Sequence, residues 1–291
     1  MTTDIFKPRL VFAPAEYPEL EEMFMEPVQS TYWVHKEVNF DKDVQDFYVR
    51  LNSTEKYIVG TILKTFAMTE VFVADEFWGV IANYLPKPEI SMLAATFTEN
   101  EWRHASAYNR LNEVLGLTDF EAFLEDPIAM QKFENLTKIG KDHKGNPSKK
   151  DVAKTLAIFG AFTENVCLFS QFAILRSFSN NGRNLLTNVG DIIDWSQFDE
   201  AQHAKAAIYI FNIIKKENPE IWTDEFKSDI YMAAHLTFDI ETKMIDQIFS
   251  KGELINLKKS DLINYMKDRI NNSLKDLGLK PIFDVVDEIA E

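Results

Sequence analysis

Apolar residues recur every three or four positions along most of the chain, and no stretch keeps the two-residue alternation of a half-buried strand. This spacing is typical of helices that bury one face, so the sequence predicts an all-α protein. The expected long helices span residues 52–85, 88–116, 151–178, 189–217, 224–251 and 260–277.

Local signals support these boundaries. Asn52 and Glu55 have the three-residue spacing of a capping box. Pro88 suits the first turn of the second helix, and Gly116 is a natural C-terminal cap. Prolines argue against a long helix in the first 40 residues, and the polar stretch 141–150 predicts a loop. The stretch 141–150 does not resemble a flexible linker, so we expect one domain over residues 1–291, with an irregular N-terminal segment over about 1–40.

Four glutamates and two histidines interrupt the apolar faces of the predicted helices. A glutamate that follows threonine in one helix precedes a Glu-x-x-His motif in the next, and this order occurs twice. Positions i and i+3 lie on one helix face, so both side chains of each motif can reach one centre. The candidate ligands are Glu70, Glu101, His104, Glu164, Glu200 and His203.

Burying four carboxylates is costly unless positive charge compensates them. Two divalent cations would cancel their four charges if both imidazoles are neutral. Oxygen and nitrogen donors without thiolate suit iron or manganese better than structural zinc, and this order of ligands is typical of ferritin-like di-metal bundles. The competing interpretation is chance, but two of only five histidines carry the spacing, both within apolar helices.

The remaining candidates have simpler interpretations. His35, His143 and His235 have no such partners, and we interpret them as surface or structural residues. Cys167 is by default a small core residue. Tyr108, taken alone, would be a core aromatic residue.

Charge and composition exclude several classes of protein. The net charge of −15 argues against a nucleic-acid-binding protein, which needs clustered basic residues. A single cysteine fits a reducing compartment. We see no apolar run long enough to cross a bilayer and no apolar core of a signal peptide near the N-terminus. These features together predict a cytoplasmic protein without a membrane partner.

From STYWVHKEVNF (30–40) to KDLGLKPIF (275–283), the sequence resembles the small, radical-generating subunit of class I ribonucleotide reductase. The resemblance implies a ferritin-like bundle with additional helices that forms a homodimer. It also implies that two iron or manganese ions are bound, one on each side of the site. The two predicted ligand sets are Glu70, Glu101 and His104, and Glu164, Glu200 and His203.

The resemblance assigns further roles. The metal pair would activate an oxygen species and leave a radical on Tyr108 or on the metals, with Leu168 and Phe172 as walls of the pocket. His104, Asp199 in DEAQH and Trp33 in WVHKE would carry the oxidising equivalent to a separate large subunit, which reduces ribonucleotides to deoxyribonucleotides.

Several positions depart from the family pattern. Glu70 stands where many members have aspartate, which leaves the choice between iron and manganese open. His35 replaces a proline, and Leu168 stands where many members have phenylalanine. No tyrosine or tryptophan follows Tyr265, whereas members carry a relay tyrosine in a flexible C-terminal tail. We therefore expect the 291-residue form to assemble its cofactor and to need such a tail for turnover.

Two other classes share the metal-binding scaffold. A di-metal oxidase or hydroxylase would keep the six ligands but need a substrate channel, and could dispense with Tyr108, Asp199 and Trp33. A ferritin-like metal store would be shorter, so the predicted helices after residue 220 argue against it.

Overall fold

The computed structural model describes residues 4–142, 145–180 and 182–286, with side chains from 135 to 142 left undescribed. Within these ranges the regular secondary structure is helical, apart from an isolated bridge between Leu254 and Leu257. The long helices are α1 (Ser53–Ile81), α2 (Pro88–Val114), α3 (Pro127–Asp142), α4 (Lys149–Ser179), α5 (Thr187–Glu217), α6 (Asp224–Ile248) and α7 (Lys259–Asp276).

Most predicted helix boundaries agree with the structure. The side chain of Asn52 accepts from the amide of Glu55 and the Glu55 carboxylate accepts from the amide of Asn52, as a capping box requires. Helix α2 begins at Pro88, and Gly116 has a φ of +67° just beyond its end. That left-handed backbone favours glycine, which has no Cβ to clash with the carbonyl.

One part of the prediction is wrong. Helix α3 was not predicted, and it extends into the stretch 141–150, where α4 already begins at Lys149. As predicted, the described part of the first 40 residues has only short helices, and Pro27 occupies the first turn of Glu26–Ser30. The other short helical segments are Glu21–Met25, His35–Glu37, Asp41–Gln45, Asp46–Arg50, Glu121–Leu124 and Pro219–Ile221.

Four helices form the centre of the fold. Helix α1 packs along α2, and α4 packs along α5, while α2 also contacts α5 and α1 contacts α4. Helices α6 and α7 pack on α4, and α3 lies against α1 and α6. The faces that the four central helices turn towards one another therefore define the interior of a bundle.

The prediction that no apolar run is long enough to cross a bilayer is wrong. Helices α1 and α4 are long and apolar enough to cross a bilayer by length and composition. In the folded chain, however, 67% of the apolar window in α1 and 89% of that in α4 are buried inside the protein. Their apolar length therefore serves the bundle core.

Gly160 marks the closest approach of α4 to α5. A Cβ at this position would lie 2.2 Å from the Cβ of Ala207 and 3.4 Å from the carbonyl oxygen of Ala204. At Gly60 in α1, an added Cβ would meet only the Leu117 side chain, at 3.1 Å. The Cβ of Ala207 is fixed to the backbone of α5 and cannot move aside, whereas the Leu117 side chain can change its conformation.

We therefore expect Gly160→Ala to lower the free energy of unfolding by about 1–3 kcal/mol. Gly60→Ala serves as the matched control and should change it by less than about 1 kcal/mol, since alanine also favours the helix. Urea denaturation of the two metal-free variants measures both values. Equal stability of Gly160→Ala and the unsubstituted protein would contradict the predicted close contact.

Candidate metal centre

Six acidic and histidine side chains meet in the interior between the four central helices. Two overlapping groups could each hold an ion, and within each group one donor atom per residue lies within 4.8 Å of all the others. One group is Glu70, Glu101, His104 and Glu200; the other is Glu101, Glu164, Glu200 and His203. All six side chains are fully buried.

Each central helix contributes to this cluster. Glu70 comes from α1 and Glu164 from α4, while α2 and α5 each supply one Glu-x-x-His pair. Glu164 lies in the π-helical part of α4, Ala157–Cys167. Wider π turns occur frequently at functional sites, where they alter the direction of side chains. The predicted spacing therefore places both motifs in one centre.

The two histidines make cross-helix contacts through the same ring nitrogen. The Nδ1 atom of His104 lies 2.9 Å from Oε1 of Glu200, and Nδ1 of His203 lies 2.8 Å from Oε1 of Glu101. Each Nδ1 is also 3.6 Å from the glutamate of its own motif. Glu101 and Glu200 thus lie between the two imidazoles, in the position of bridging ligands.

His104 is supported from behind by Asp199. Oδ2 of Asp199 lies 3.1 Å from Nε2 of His104 and accepts hydrogen bonds from Nε1 of Trp33 and Nδ2 of Asn100, both at 2.9 Å. A carboxylate behind a ligating imidazole fixes its tautomer and ring orientation, leaving Nδ1 free to face an ion. His203 differs, because its Nε2 has no hydrogen-bond partner among the described residues.

The cluster contains more acceptors than the described protein groups can satisfy. Apart from the nearby Nδ1 atoms of the two histidines, no described donor serves either carboxylate oxygen of Glu70, Glu101 or Glu200, or Oε2 of Glu164. The other Glu164 oxygen accepts from Nε1 of Trp78 at 2.7 Å. Buried carboxylate oxygens without donors are costly unless cations compensate them. The donor set and its unmet demand therefore fit two divalent ions.

The pKa values of the cluster residues show that, without metal ions, bound protons offset the negative charges of the carboxylates. Burial, together with the negative charges of Glu200 and Glu101, raises the pKa of Glu70 well above its ordinary value. Burial also raises the pKa of Glu164 well above its ordinary value, although the charge of His203 opposes this. Burial would raise the pKa of Glu101 as well, but the charge of His203 and hydrogen bonds from both histidines lower it far below the ordinary range.

The pKa values of His104 and His203 are raised, whereas burial by itself lowers the pKa of an imidazole. Burial alone would lower the pKa of His203, but the carboxylates of Glu101 and Glu200 raise it to about 10. Burial is likewise outweighed at His104, where hydrogen bonds to Asp199, Glu101 and Glu200 raise the pKa well above its ordinary value. The metal-free cluster therefore carries extra protons at neutral pH.

Metal binding is expected to release protons, because ligating imidazoles must be neutral and ligating carboxylates ionised. His203 holds its proton up to a pH of about 10 in the metal-free protein. Affinity should thus rise with pH through the neutral range, on the order of tenfold per pH unit for each proton released. Calorimetric titration with Mn²⁺ in buffers of different ionisation enthalpy measures the protons released. Affinity independent of pH would contradict the protonation described for this cluster.

Tyr108 lies one turn beyond His104 in α2 and is fully buried. Its ring packs on Phe66 with centroids 4.9 Å apart, and Phe66 packs on Phe172 at 5.1 Å. Burial and the nearby charge of Glu70 raise the pKa of Tyr108 well above its ordinary value, while Ser196 opposes the rise. The phenol is therefore held in its protonated form away from water.

Phe172 packs on Phe66, the ring that also contacts Tyr108, and Leu168 is fully buried in the same helix as Phe172. Their role as walls of a radical pocket stays a prediction. Cys167 is a buried core residue, and burial raises the pKa of its thiol. His35 is half-buried and His235 is exposed against Phe283, while His143 lies outside the described residues.

Several neighbours of the cluster carry no local sequence signal. Trp78 reaches Glu164 from another helix, and Asn100 reaches Asp199 across α2 and α5. A buried ion pair joins Lys132 of α3 to Glu241 of α6 at 2.7 Å. Each of these contacts joins residues of two different helices, so no sequence spacing predicts it. The one sequence signal is a polar residue on an otherwise apolar helix face.

Comparison with known proteins identifies relatives over most of the chain. Residues 9–288 match the family model described as "Ribonucleotide reductase, small chain". A probable ribonucleoside-diphosphate reductase small subunit of Invertebrate iridescent virus 6 is 28% identical over 262 residues, which cover 85% of this chain and 72% of the viral protein.

Solved structures share the fold. Dimanganese(II)-NrdF of Streptococcus sanguinis superposes with a TM-score of 0.81 at 18% identity, covering 95% of this chain and 94% of that one. An R2-like ligand-binding oxidase with a Mn/Fe cofactor gives a TM-score of 0.78 at 18% identity, covering 91% and 95%. The predicted all-α, ferritin-like bundle with additional helices is confirmed.

Proposed function

Because the chain belongs to the ribonucleotide reductase small-chain family, we propose that its buried cluster binds two metal ions and delivers their oxidising equivalent to Tyr108. The family is one of oxidoreductases, the ribonucleoside-diphosphate reductases. The observation that supports the proposal most strongly is the pair of overlapping ligand groups, in which Glu101 and Glu200 belong to both.

Glu70 and His104 would hold one ion, Glu164 and His203 the other, with Glu101 and Glu200 bridging the two. Carboxylate and imidazole donors suit iron and manganese. The Streptococcus sanguinis protein carries a dimanganese centre and the R2-like oxidase a Mn/Fe cofactor, so we propose iron, manganese or a mixed pair here. When bound, the metal pair supplies an oxidising equivalent derived from an oxygen species.

Tyr108 has the surroundings that a stored radical needs. Its oxidation would pass one electron to the metal pair and the phenolic proton to a carboxylate of the cluster, of which Glu70 acts most strongly on the phenol, and would leave a neutral phenoxyl group. The phenol is buried beside Phe66, and its hydroxyl makes no hydrogen bond of good geometry among the described residues, with Ser196 as its polar neighbour. Exclusion of water protects a reactive group from side reactions. We therefore assign the stored radical to Tyr108.

His104, Asp199 and Trp33 form a continuous connection away from the cluster. The Asp199 carboxylate joins the imidazole to the indole through its Oδ2 atom, and the Trp33 ring also stacks on His104 with centroids 5.6 Å apart. Burial alone would raise the pKa of Asp199, but hydrogen bonding to His104 lowers it. The ionised carboxylate can thus keep both contacts while Trp33 passes an electron inward.

The partner would be a separate large subunit that binds and reduces the ribonucleotide, and the chain itself would act as a homodimer in the cytoplasm. The relatives carry the small-subunit name, which implies such a complement. Activity that appears only when a large subunit is added would support this assignment. A dimer in sedimentation at micromolar concentration would support the proposed oligomeric state.

Trp33→Phe tests the route to that partner. Phenylalanine keeps the ring but loses both the Nε1 donor and the readily oxidised indole. We expect metal content and the Tyr108 radical signal to remain, while turnover with the large subunit, measured in a form that carries the relay tail, falls at least about a hundredfold, or about 2.7 kcal/mol. Trp222→Phe, at a tryptophan that packs on Phe211 away from the cluster, is the matched control. Normal turnover in Trp33→Phe would exclude Trp33 from the route.

A ligand-binding oxidase is the second candidate, since such a protein shares the fold. It would need a cavity that gives a substrate access to the cluster. Grooves of about 750 and 540 Å³ lie along α4, α5 and α7, and no proposed ligand lines either of them. The contacts of Asp199 with Trp33 also favour the reductase subunit. Oxidation of an added small substrate without a large subunit would favour the oxidase.

A further inference from the structure

The side chain that precedes Trp33 in the chain lies at the protein surface. Trp33 is buried, with 4% of its surface exposed, whereas the adjacent Tyr32 is 60% exposed. This position therefore joins the end of the buried connection directly to the protein surface.

Arg103 holds both rings. Its guanidinium carbon lies 4.2 Å from the centroid of the Tyr32 ring and 5.6 Å from that of Trp33. The guanidinium is fixed in turn, because Nε and Nη2 donate to the two carboxylate oxygens of Glu99 at 3.3 and 3.0 Å, and Nη1 donates to the Trp33 carbonyl at 3.2 Å. The distance between the centroids of the two rings therefore cannot exceed the sum of these two guanidinium-to-centroid distances.

We propose that Tyr32 is a surface relay residue of this subunit, oxidised by Trp33 and oxidising in turn the next acceptor in the assembled complex. The inference rests on the proposed function, because the oxidising equivalent originates at the metal cluster. In the step, the oxidised indole of Trp33 takes one electron from Tyr32. The Tyr32 phenol loses its proton to water and becomes a neutral phenoxyl group, and Trp33 returns to its reduced form.

The charge of Arg103 favours this direction. A positive guanidinium close to Trp33 repels the positive charge of an oxidised indole, and the repulsion is stronger where burial limits screening by solvent. A tyrosyl radical that has released its proton is neutral and avoids this repulsion. Exposure of Tyr32 lets the proton leave to solvent, which the buried Tyr108 cannot do.

Other aromatic residues are less suited to this role. Trp195 also contacts Trp33, with centroids 5.4 Å apart, but it is only half-exposed. Trp102 is 43% exposed, yet no described contact joins it to Trp33. Tyr32 combines exposure, chain adjacency and the shared cation, so it is the position that the geometry favours.

Replacement of Tyr32 by 3-aminotyrosine, which is oxidised more easily than tyrosine, would test the relay by trapping the radical. The metal-loaded protein is activated with an oxygen species, frozen and measured by EPR. We expect an aminotyrosyl signal at position 32 and its loss when Trp33→Phe is added. The same substitution at Tyr48, which is 53% exposed and donates to the Leu115 carbonyl, is the matched control and should give no such signal.

The outcomes separate the relay from the function on which it rests. A Tyr108 signal without an aminotyrosyl signal at position 32, or equal signals at positions 32 and 48, would overturn the relay alone. Loss of the signal in Trp195→Phe but not in Trp33→Phe would place the route through Trp195 and likewise overturn the proposed step. If metals are not retained and no Tyr108 signal forms, the proposed function fails, and the relay fails with it. Circular dichroism and metal analysis of each variant verify folding and loading.

Discussion

Replacing Glu101 with alanine is expected to remove both metal ions from the protein. Glu101 belongs to both ligand groups, and apart from the two histidine rings its carboxylate has no donor among the described residues. Loss of this residue removes a ligand from each site and one negative charge that the two sites share. Glu200→Ala should act in the same way, since Glu200 is the other shared ligand.

Glu70→Ala provides the contrast, because Glu70 belongs to only one group. We expect this variant to lose mainly one ion and to keep the other, whereas Glu101→Ala should retain well under one ion per chain. Glu101→Gln preserves the side-chain shape and tests the charge by itself. Removing a charged partner from a buried set leaves the others uncompensated, a cost of several kcal/mol for a buried ion pair.

Elemental analysis after reconstitution and desalting measures the ions retained. Glu113→Ala is a suitable control, since Glu113 lies on the same helix with its carboxylate about half exposed and paired with Arg110. That variant should keep both ions. Retention of both ions by Glu101→Ala and Glu200→Ala would show that neither residue bridges the pair, and would disprove the ligand assignment.

The features that could be predicted from the sequence depend on neighbouring residues in the chain. The capping box at Asn52, the start of α2 at Pro88 and the left-handed Gly116 are decided within a few residues. The Glu-x-x-His motifs are equally local, because helical geometry alone places i and i+3 on one face. These signals were sufficient to locate the central helices and to select the candidate ligands.

The features that could not be predicted depend on contacts between distant segments. The apolar face of helix α3 is too short to predict a buried helix from sequence. The helix is buried by its packing against α1 and α6. The hydrogen bond from Trp78 to Glu164 spans 86 positions of the chain. Likewise, the π-helical segment around Glu164 packs against α5 and α7, and no residue type within it specifies this geometry.

The two histidines illustrate the same limit. Their motifs are equivalent in sequence, yet His104 has Asp199 behind Nε2 and His203 has no partner there among the described residues. The ring of His203 instead lies 4.2 Å from that of Phe97, centroid to centroid. The polar connection leading outward therefore begins at only one of the two proposed ion positions, on the side of His104 and Glu70.

Replacing Tyr108 with phenylalanine is expected to abolish the tyrosyl EPR signal and to lower turnover with the large subunit by at least about a thousandfold, or about 4 kcal/mol. The substitution removes one oxygen atom from a fully buried ring that packs on Phe66. Phenylalanine has no phenolic proton to lose, so it cannot form the neutral radical. EPR of the activated variant and a turnover assay with the partner measure the two effects.

The same substitution should leave the scaffold intact, which separates the chemical role of Tyr108 from a packing role. Its hydroxyl is buried and makes no hydrogen bond of good geometry among the described residues, since Ser196 is only a nearby polar group, and removing a poorly satisfied polar group costs little. Stability in urea should therefore change by less than about 1 kcal/mol, and both metal ions should remain. A tyrosyl signal that survives in Tyr108→Phe would assign the radical to another tyrosine. Full turnover together with a purely metal-centred signal would show that the oxidising equivalent stays at the metals, and that Tyr108 serves only as a wall of the site.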